Sequence, residues 1–149
     1  MANLIQNKKV RLNYEILKTF EAGLELFGHE VKSLRAKQGS LEGSHVVARG
    51  DEAFLVGATI PPFQAKNTPL GYDAERTRKL LLTKKEIGEL AGSESQKGLT
   101  IVPISVYSNR RKLKLELAIV RGKKKHDKRE DLKQRDAKRD MARAMKSDR

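Results

Sequence analysis

The run Val10-Arg11-Leu12-Asn13-Tyr14-Glu15-Ile16-Leu17-Lys18-Thr19-Phe20-Glu21-Ala22-Gly23-Leu24-Glu25-Leu26 alternates almost without error. Eight of its nine even positions are apolar, against one, Leu17, of the eight odd positions between them. Period two over that length predicts a β-strand with one buried face. Extended at about 3.3 Å per residue, the stretch would span roughly 55 Å, too long for one straight strand in a small domain. The chain must bend, and Gly23 is the expected corner, because glycine inside a strand marks a bulge or sharp turn.

Outward from this strand the signals continue to read as β with short helices. Phe27, Val31 and Leu34 are spaced i, i+4, i+7 and predict a helix over about 27–37. His45–Ala48, the turn Arg49-Gly50-Asp51-Glu52, and the alternation Phe54, Val56, Ala58, Ile60 predict a hairpin. Pro61-Pro62 ends it, and residues 63–75, with Tyr72, read as a surface loop. Thr83-Lys84-Lys85-Glu86 after Leu80-Leu81-Leu82 is a capping box, so a helix starts just after Thr83 and ends near Gly92. Leu99–Tyr107 and Lys112–Val120 flank Ser108-Asn109-Arg110-Arg111 as a second hairpin. About six antiparallel strands with two or three short helices predict a small, closed or partly open, OB-fold-like β-barrel.

Charge divides the chain in two. The 149 residues hold 32 Lys or Arg and 19 Asp or Glu, a net charge of +13. Residues 121–149 carry +7 of it, and only six apolar side chains, none aromatic or β-branched. One compact domain is therefore expected at 1–120 and a basic arm at 121–149. The arm contains no Pro and no Gly after Gly122, and it pairs opposite charges at helical spacing, as in Asp131/Arg135 and Asp136/Arg139. A helix so thinly apolar is marginal alone. The arm is expected to be disordered in solution and helical on a partner, the alternative being a permanently solvated charged tail.

Composition also excludes functions. Cysteine is absent, which removes disulfides, zinc ribbons and thiolate catalysis. No apolar run exceeds four residues and the first residues lack a signal-peptide core, so a cytoplasmic protein without membrane association is expected. Nothing demands a dimer, and a monomer is the expectation. None of His29, His45 and His126 has a partner at metal-ligand spacing, and no nucleophile or phosphate-loop motif occurs. No enzyme, no cofactor and no metal is the reading; a magnesium nuclease built on Glu21, Glu25 and Glu30 is the distant alternative. A polyanionic partner, either nucleic acid or an anionic membrane surface, follows from the charge, and nucleic acid is favoured because the arm has no Trp, Phe or Ile to insert into lipid. With seven aromatics, most at core-facing positions, the body is expected to use phosphate, sugar and shape more than stacking. His126, among Lys and Arg where body meets arm, suits stacking on an unpaired base. It reads equally as a solvated histidine in a basic linker or part of a nuclear-import signal.

Several blocks resemble one known family. Asn7-Lys8-Lys9, Glu21-Ala22-Gly23, Gly28-His29-Glu30-Val31-Lys32-Ser33-Leu34-Arg35, Arg76-Thr77-Arg78-Lys79-Leu80-Leu81-Leu82, Gly122-Lys123-Lys124-Lys125-His126-Asp127-Lys128-Arg129 and Arg143-Ala144-Met145-Lys146 are similar, in order, to the motifs of the SsrA-binding (small protein B) family. That family partners transfer-messenger RNA (tmRNA) in bacterial ribosome rescue. The resemblance implies a non-catalytic protein binding the tRNA-like domain of tmRNA and delivering it to stalled ribosomes for trans-translation. It implies RNA contacts at Asn7, Lys8, Lys9, Glu21, Arg76, Arg78, Lys79, Leu81 and Thr83. Thr83 departs from the family's frequent His or Asn, and as a helix cap it is less free to reach RNA. The arm residues Gly122, Lys123, Lys124, Lys125, His126, Asp127, Lys128, Arg129, Arg143, Met145 and Lys146 would lie in the decoding centre and the empty messenger channel. Alanyl-tRNA synthetase and elongation factor Tu are implied as indirect partners. The alternative is a general basic RNA-binding or ribosome-associated protein.

Overall fold

A computed structural model describes residues 2–64, 66 and 69–123. The chain runs β1 (Ala2–Gln6), α1 (Val10–Asn13), β2 (Tyr14–Leu24), α2 (Gly28–Arg35), β3 (His45–Arg49), β4 (Glu52–Val56), β5 (Arg78–Leu81), α3 (Lys84–Glu94), β6 (Leu99–Asn109) and β7 (Lys112–Gly122). Among the described residues one antiparallel sheet has the order β1-β6-β7-β2-β5-β4-β3. It curls so that β3 comes against β6 without a ladder between them, and α3 packs over both strands. The result is the mainly β, partly open, OB-fold-like barrel that the alternation predicts.

The deciding run behaves differently from its reading. Val10–Asn13 is a short helix, and the strand begins at Tyr14. The bend is a β-bulge at Leu17, where Ile16 pairs Val120 but Lys18 pairs Ile119, and it is not at Gly23. An extra residue in one strand switches which face its neighbours meet. Phe20 and Ala22 therefore join the main core with Leu115, Leu117 and Ile119, whereas Tyr14 and Ile16 pack on the other face against Val10, Ala118 and Val120. One unbroken sequence alternation serves two cores. A second bulge, at Ile104 of β6, works the same way: Ile101 and Val106 face the main core, and Val102 and Ile104 the second.

Three further departures have identifiable physical causes. In β4 the buried residues are Ala53 and Leu55 rather than Phe54 and Val56, and Gly57 at φ +86° resets the phase so that Ala58 and Ile60 are buried. The N-terminal strand β1 carries no usable alternation and is held by pairing with β6. The body passes the expected boundary at 120: Tyr14 pairs Gly122, and the Lys123 N–H donates to Asn13 O at 2.9 Å. Gly122 and Lys123, assigned to the arm, are thus held on the body. The helices at Phe27 and Thr83 and both hairpins fall where their signals lie, although α3 runs to Glu94, beyond Gly92.

Candidate nucleic-acid interface

Cross-strand pairing assembles part of the site on the outer face of the sheet. Gly23 of β2 pairs Leu81 of β5, with Leu24 opposite Leu80. A Cβ on Gly23 would meet Leu81 Cβ at 3.2 Å, so the absent side chain is what lets Leu81 lie across the strand. Leu81 is half exposed (51%), unusual for a leucine in a strand whose alternate residues, Arg78 and Leu80, are buried. Glu21 stands two residues from Gly23, on the same face, and Lys79 two residues from Leu81. Lys79 holds an exposed ion pair with Glu52 at 3.2 Å. Gly23, Leu81, Leu26 and Val31 floor a cleft of about 360 Å³ with Arg111, Lys112 and Lys114 at its rim. An apolar floor with a basic rim can take a base or sugar while cations meet phosphates.

Thr83, just beyond Leu81, is spent on its helix. Its Oγ1 accepts from the Glu86 N–H at 3.2 Å and donates to Glu86 Oε1 at 2.9 Å, while its own N–H donates to the same oxygen at 3.0 Å. The hydroxyl has no free donor for RNA.

Arg78 is removed from the contact surface altogether. It is completely buried, as is Glu30. Glu30 accepts six hydrogen bonds: the Phe27 N–H (2.8 Å) and Arg76 Nη2 (2.5 Å) on Oε1; Tyr72 Oη (2.8 Å), Arg76 Nε (3.1 Å), and Arg78 Nε (2.9 Å) and Nη2 (2.8 Å) on Oε2. Burial alone would raise this carboxyl; the bonds from Arg76, Phe27, Tyr72 and Arg78 outweigh it and hold Glu30 at about 2. Arg78 spends its remaining donors on the carbonyls of Ala58, Ala74 and Arg76. Arg76 is only partly available, since its guanidinium also lies 4.1 Å over the Phe27 ring. The loop around Tyr72 is therefore strapped to α2, and the Glu30 of the nuclease alternative is a structural ion-pair anchor. The His29 ring packs edge-on to Tyr72 at 4.5 Å, a structural place.

Asn7, Lys8 and Lys9 stand apart from this face. Gln6, Ser105, Glu116 and Glu21 form one cross-strand row, so Asn7 lies three strand spacings, roughly 14 Å, from Glu21. Asn7 Nδ2 donates to Leu41 O at 3.4 Å and Pro103 O at 3.3 Å, tying loop to barrel. Lys9 pairs with Glu42 at 2.6 Å on the surface. Asn7 and Lys9 border a separate polar cleft of about 340 Å³ with Asn13, Glu42 and His45. The sites on Lys124, Lys125, His126, Asp127, Lys128, Arg129, Arg143, Met145 and Lys146 lie outside the described residues. Three rim residues, Arg111, Lys112 and Lys114, were not among the sequence-derived contacts; the alternation of β7, which turns Lys112 and Lys114 away from the core, is the signal that marks two of them.

A curled antiparallel barrel, open at one seam, with a basic-rimmed cleft on its outer sheet face and a cationic segment leaving its last strand, defines a small β-barrel of the nucleic-acid-binding class. Comparison with known proteins narrows the class. The model of the SmpB protein family matches residues 4–147. An SsrA-binding protein of Microcystis aeruginosa is 49% identical over 143 residues, covering 96% of this chain and 93% of the relative. One from Thermosynechococcus vestitus is 48% identical over 143 residues, covering 96% and 94%. A chain from the solved structure "tmRNA-SmpB: a journey to the center of the bacterial ribosome" superposes with a TM-score of 0.69 at 43% identity, covering 83% of this chain and 87% of that one. The chain belongs to the SmpB family.

Proposed function

We propose that this protein binds the tRNA-like domain of tmRNA through its barrel and carries that RNA to stalled ribosomes for trans-translation, acting in the cytoplasm as a non-catalytic adaptor. The observation that carries the reading is that the family match runs from residue 4 to residue 147, through body and arm alike. In this reading the outer face with Glu21, Gly23, Leu81 and the rim lysines holds the RNA, with Lys79 and the exposed side of Arg76 at its border. Arg78 and the Thr83 hydroxyl serve the fold. Asn7, Lys8 and Lys9 contribute from the far side of the sheet, by anchoring the Leu41 loop and by positive charge. The arm from Lys124 onward takes the decoding centre and the empty messenger channel, with His126 stacking on a base there.

The test is a truncation made after Lys123, because the last strand and its tie to Asn13 end there. The truncated protein should keep its preference for the tRNA-like domain over random RNA and lose tagging of stalled ribosomes. A general basic binder would instead lose affinity for every RNA along with the arm. Contact with 6–10 phosphates would make binding fall by about 10³–10⁵ between 50 and 200 mM salt, and a cognate reader keeps its gap over random RNA throughout.

A further inference from the structure

Phe27, at the N-cap of α2, is 51% exposed in a chain that holds only seven aromatic rings. It is exposed but not loose. Its N–H donates to Glu30 Oε1 at 2.8 Å, and its carbonyl accepts from the N–H groups of Glu30 and Val31 at 3.0 and 3.1 Å. The Arg76 guanidinium lies over the ring, 4.1 Å from its centroid, and the His29 ring stands 5.8 Å away, tilted by 38°. A ring fixed in this way has little rotamer freedom left to lose when it binds. Arg76 itself is nearly spent. Its Nε and Nη2 donate to Glu30, Nη2 also to Glu25 O and Nη1 to Thr77 O, which uses four of its five N–H groups. The guanidinium therefore backs the Phe27 ring and has little left for a phosphate.

The surroundings select what the ring receives. Leu26, beside Phe27 in the chain, and Val31, one helical turn on, line the outer cleft together with Gly23 and Leu81, and Arg111, Lys112 and Lys114 rim it. Among the described residues none of those three cations forms an ion pair. An open aromatic ring beside unpaired cations fits a ligand that joins flat π faces to a line of negative charges. An unpaired stretch of RNA is such a ligand, whereas a duplex keeps its base faces inside the stack. An apolar protein segment would leave the cations unanswered. Resting on the reading above that this face holds RNA, we infer that Phe27 is a stacking platform for one unpaired base of the bound RNA, and that Arg76 is the positioning residue that backs its ring. The platform takes any base, since each presents a π face.

The experiment uses the full chain, the tRNA-like domain of tmRNA, a random-sequence hairpin and a fully paired RNA duplex. Phe27→Ala should weaken binding of the tRNA-like domain by about tenfold and leave the duplex unchanged. Phe27→Tyr should stay within about twofold of the wild type, and Phe27→Leu, apolar but without a π face, should lose most of what alanine loses. Removing single unpaired bases to leave abasic sites should reveal one position that costs the wild type about tenfold and costs Phe27→Ala little, because coupled groups are not additive. Arg76→Gln should weaken the intact RNA more than the RNA abasic at that position. It should also keep the wild-type slope of log affinity against log salt; a slope reduced by about one would put Arg76 on a phosphate and overturn its positioning role. Full affinity in Phe27→Ala, equal affinity in Phe27→Leu and Phe27→Tyr, or no abasic position coupled to Phe27 would overturn the platform. Any of these with the preference for the tRNA-like domain over the random hairpin intact defeats this inference alone; no such preference in the wild type defeats the underlying reading as well.

Discussion

Arg78 Nη2 stands 2.8 Å from Glu30 Oε2, and neither side chain exposes any surface. Removing one partner of a buried pair costs more than the pair contributes, because the other charge is left in low dielectric. Glu30→Gln should therefore destabilise the protein by about 3–5 kcal/mol, most of the margin of a small domain. Arg78→Met should cost less, because Glu30 keeps Arg76, Tyr72 and the Phe27 N–H. Urea unfolding measures both. Per folded molecule, Arg78→Met should retain its RNA affinity; a loss there would return Arg78 to the contact surface.

The same carboxylate sets an acid limit. Glu30 is lowered from 4.5 to about 2 in the folded protein, so below its unfolded value the unfolded state binds the extra proton. Stability from this group is complete above about pH 4.5 and is lost as pH falls towards 2, on the order of 3 kcal/mol in all. Unfolding free energy measured from pH 5 to pH 2 should fall steeply in the wild type. In Glu30→Gln that part of the slope should vanish.

Leu81 rests on the bare backbone of Gly23. Gly23→Val would place branched carbons where Leu81 Cβ and Cδ1 already lie 3.2 and 3.3 Å from a single Cβ, so Leu81 must swing off the strand. Overpacking of this kind costs about 1–3 kcal/mol, and the half-exposed position should soften it towards the lower end. RNA affinity should drop further than stability does. Filter binding beside thermal unfolding separates the two effects, and unchanged affinity would show that Leu81 is not part of the contact face.

What was legible in the sequence was local. The capping box at Thr83 and Glu86 lies within four residues, and its helix formed as read. The hairpin turns at Gly50-Asp51 and Arg110-Arg111 were likewise marked by their own residues. What failed depended on distant partners. The bulge at Leu17 exists because β7 offers apolar residues on both faces, Ala118 and Val120 behind Leu117 and Ile119, and nothing within Val10–Leu26 encodes that. Arg78 resembled a contact in a basic motif, yet its fate was decided by Glu30, 48 residues earlier. Likewise β1 became a strand through a partner a hundred residues downstream. The resemblance singled out Glu21 and Leu81 separately; that Leu81 lies opposite Gly23, two residues from Glu21 on the same face, needed the β2–β5 register.

Thr83 separates a folding role from a binding role at one hydroxyl. The single donor of its Oγ1 goes to Glu86 Oε1 and the Glu86 N–H takes one of its lone pairs, so the cap is its main contribution at the start of α3. Thr83→Ala should lower stability by about 1 kcal/mol. Thr83→Asn keeps a capping side chain and should stay within about 0.5 kcal/mol of the wild type. Cognate RNA binding of Thr83→Ala, measured well below its unfolding temperature, should equal that of the wild type. Thr83→Asn adds an amide that reaches past the cap, and so should bind at least as tightly. Weaker binding by Thr83→Ala with stability intact would place the threonine hydroxyl on the RNA and dissolve the division between cap and contact.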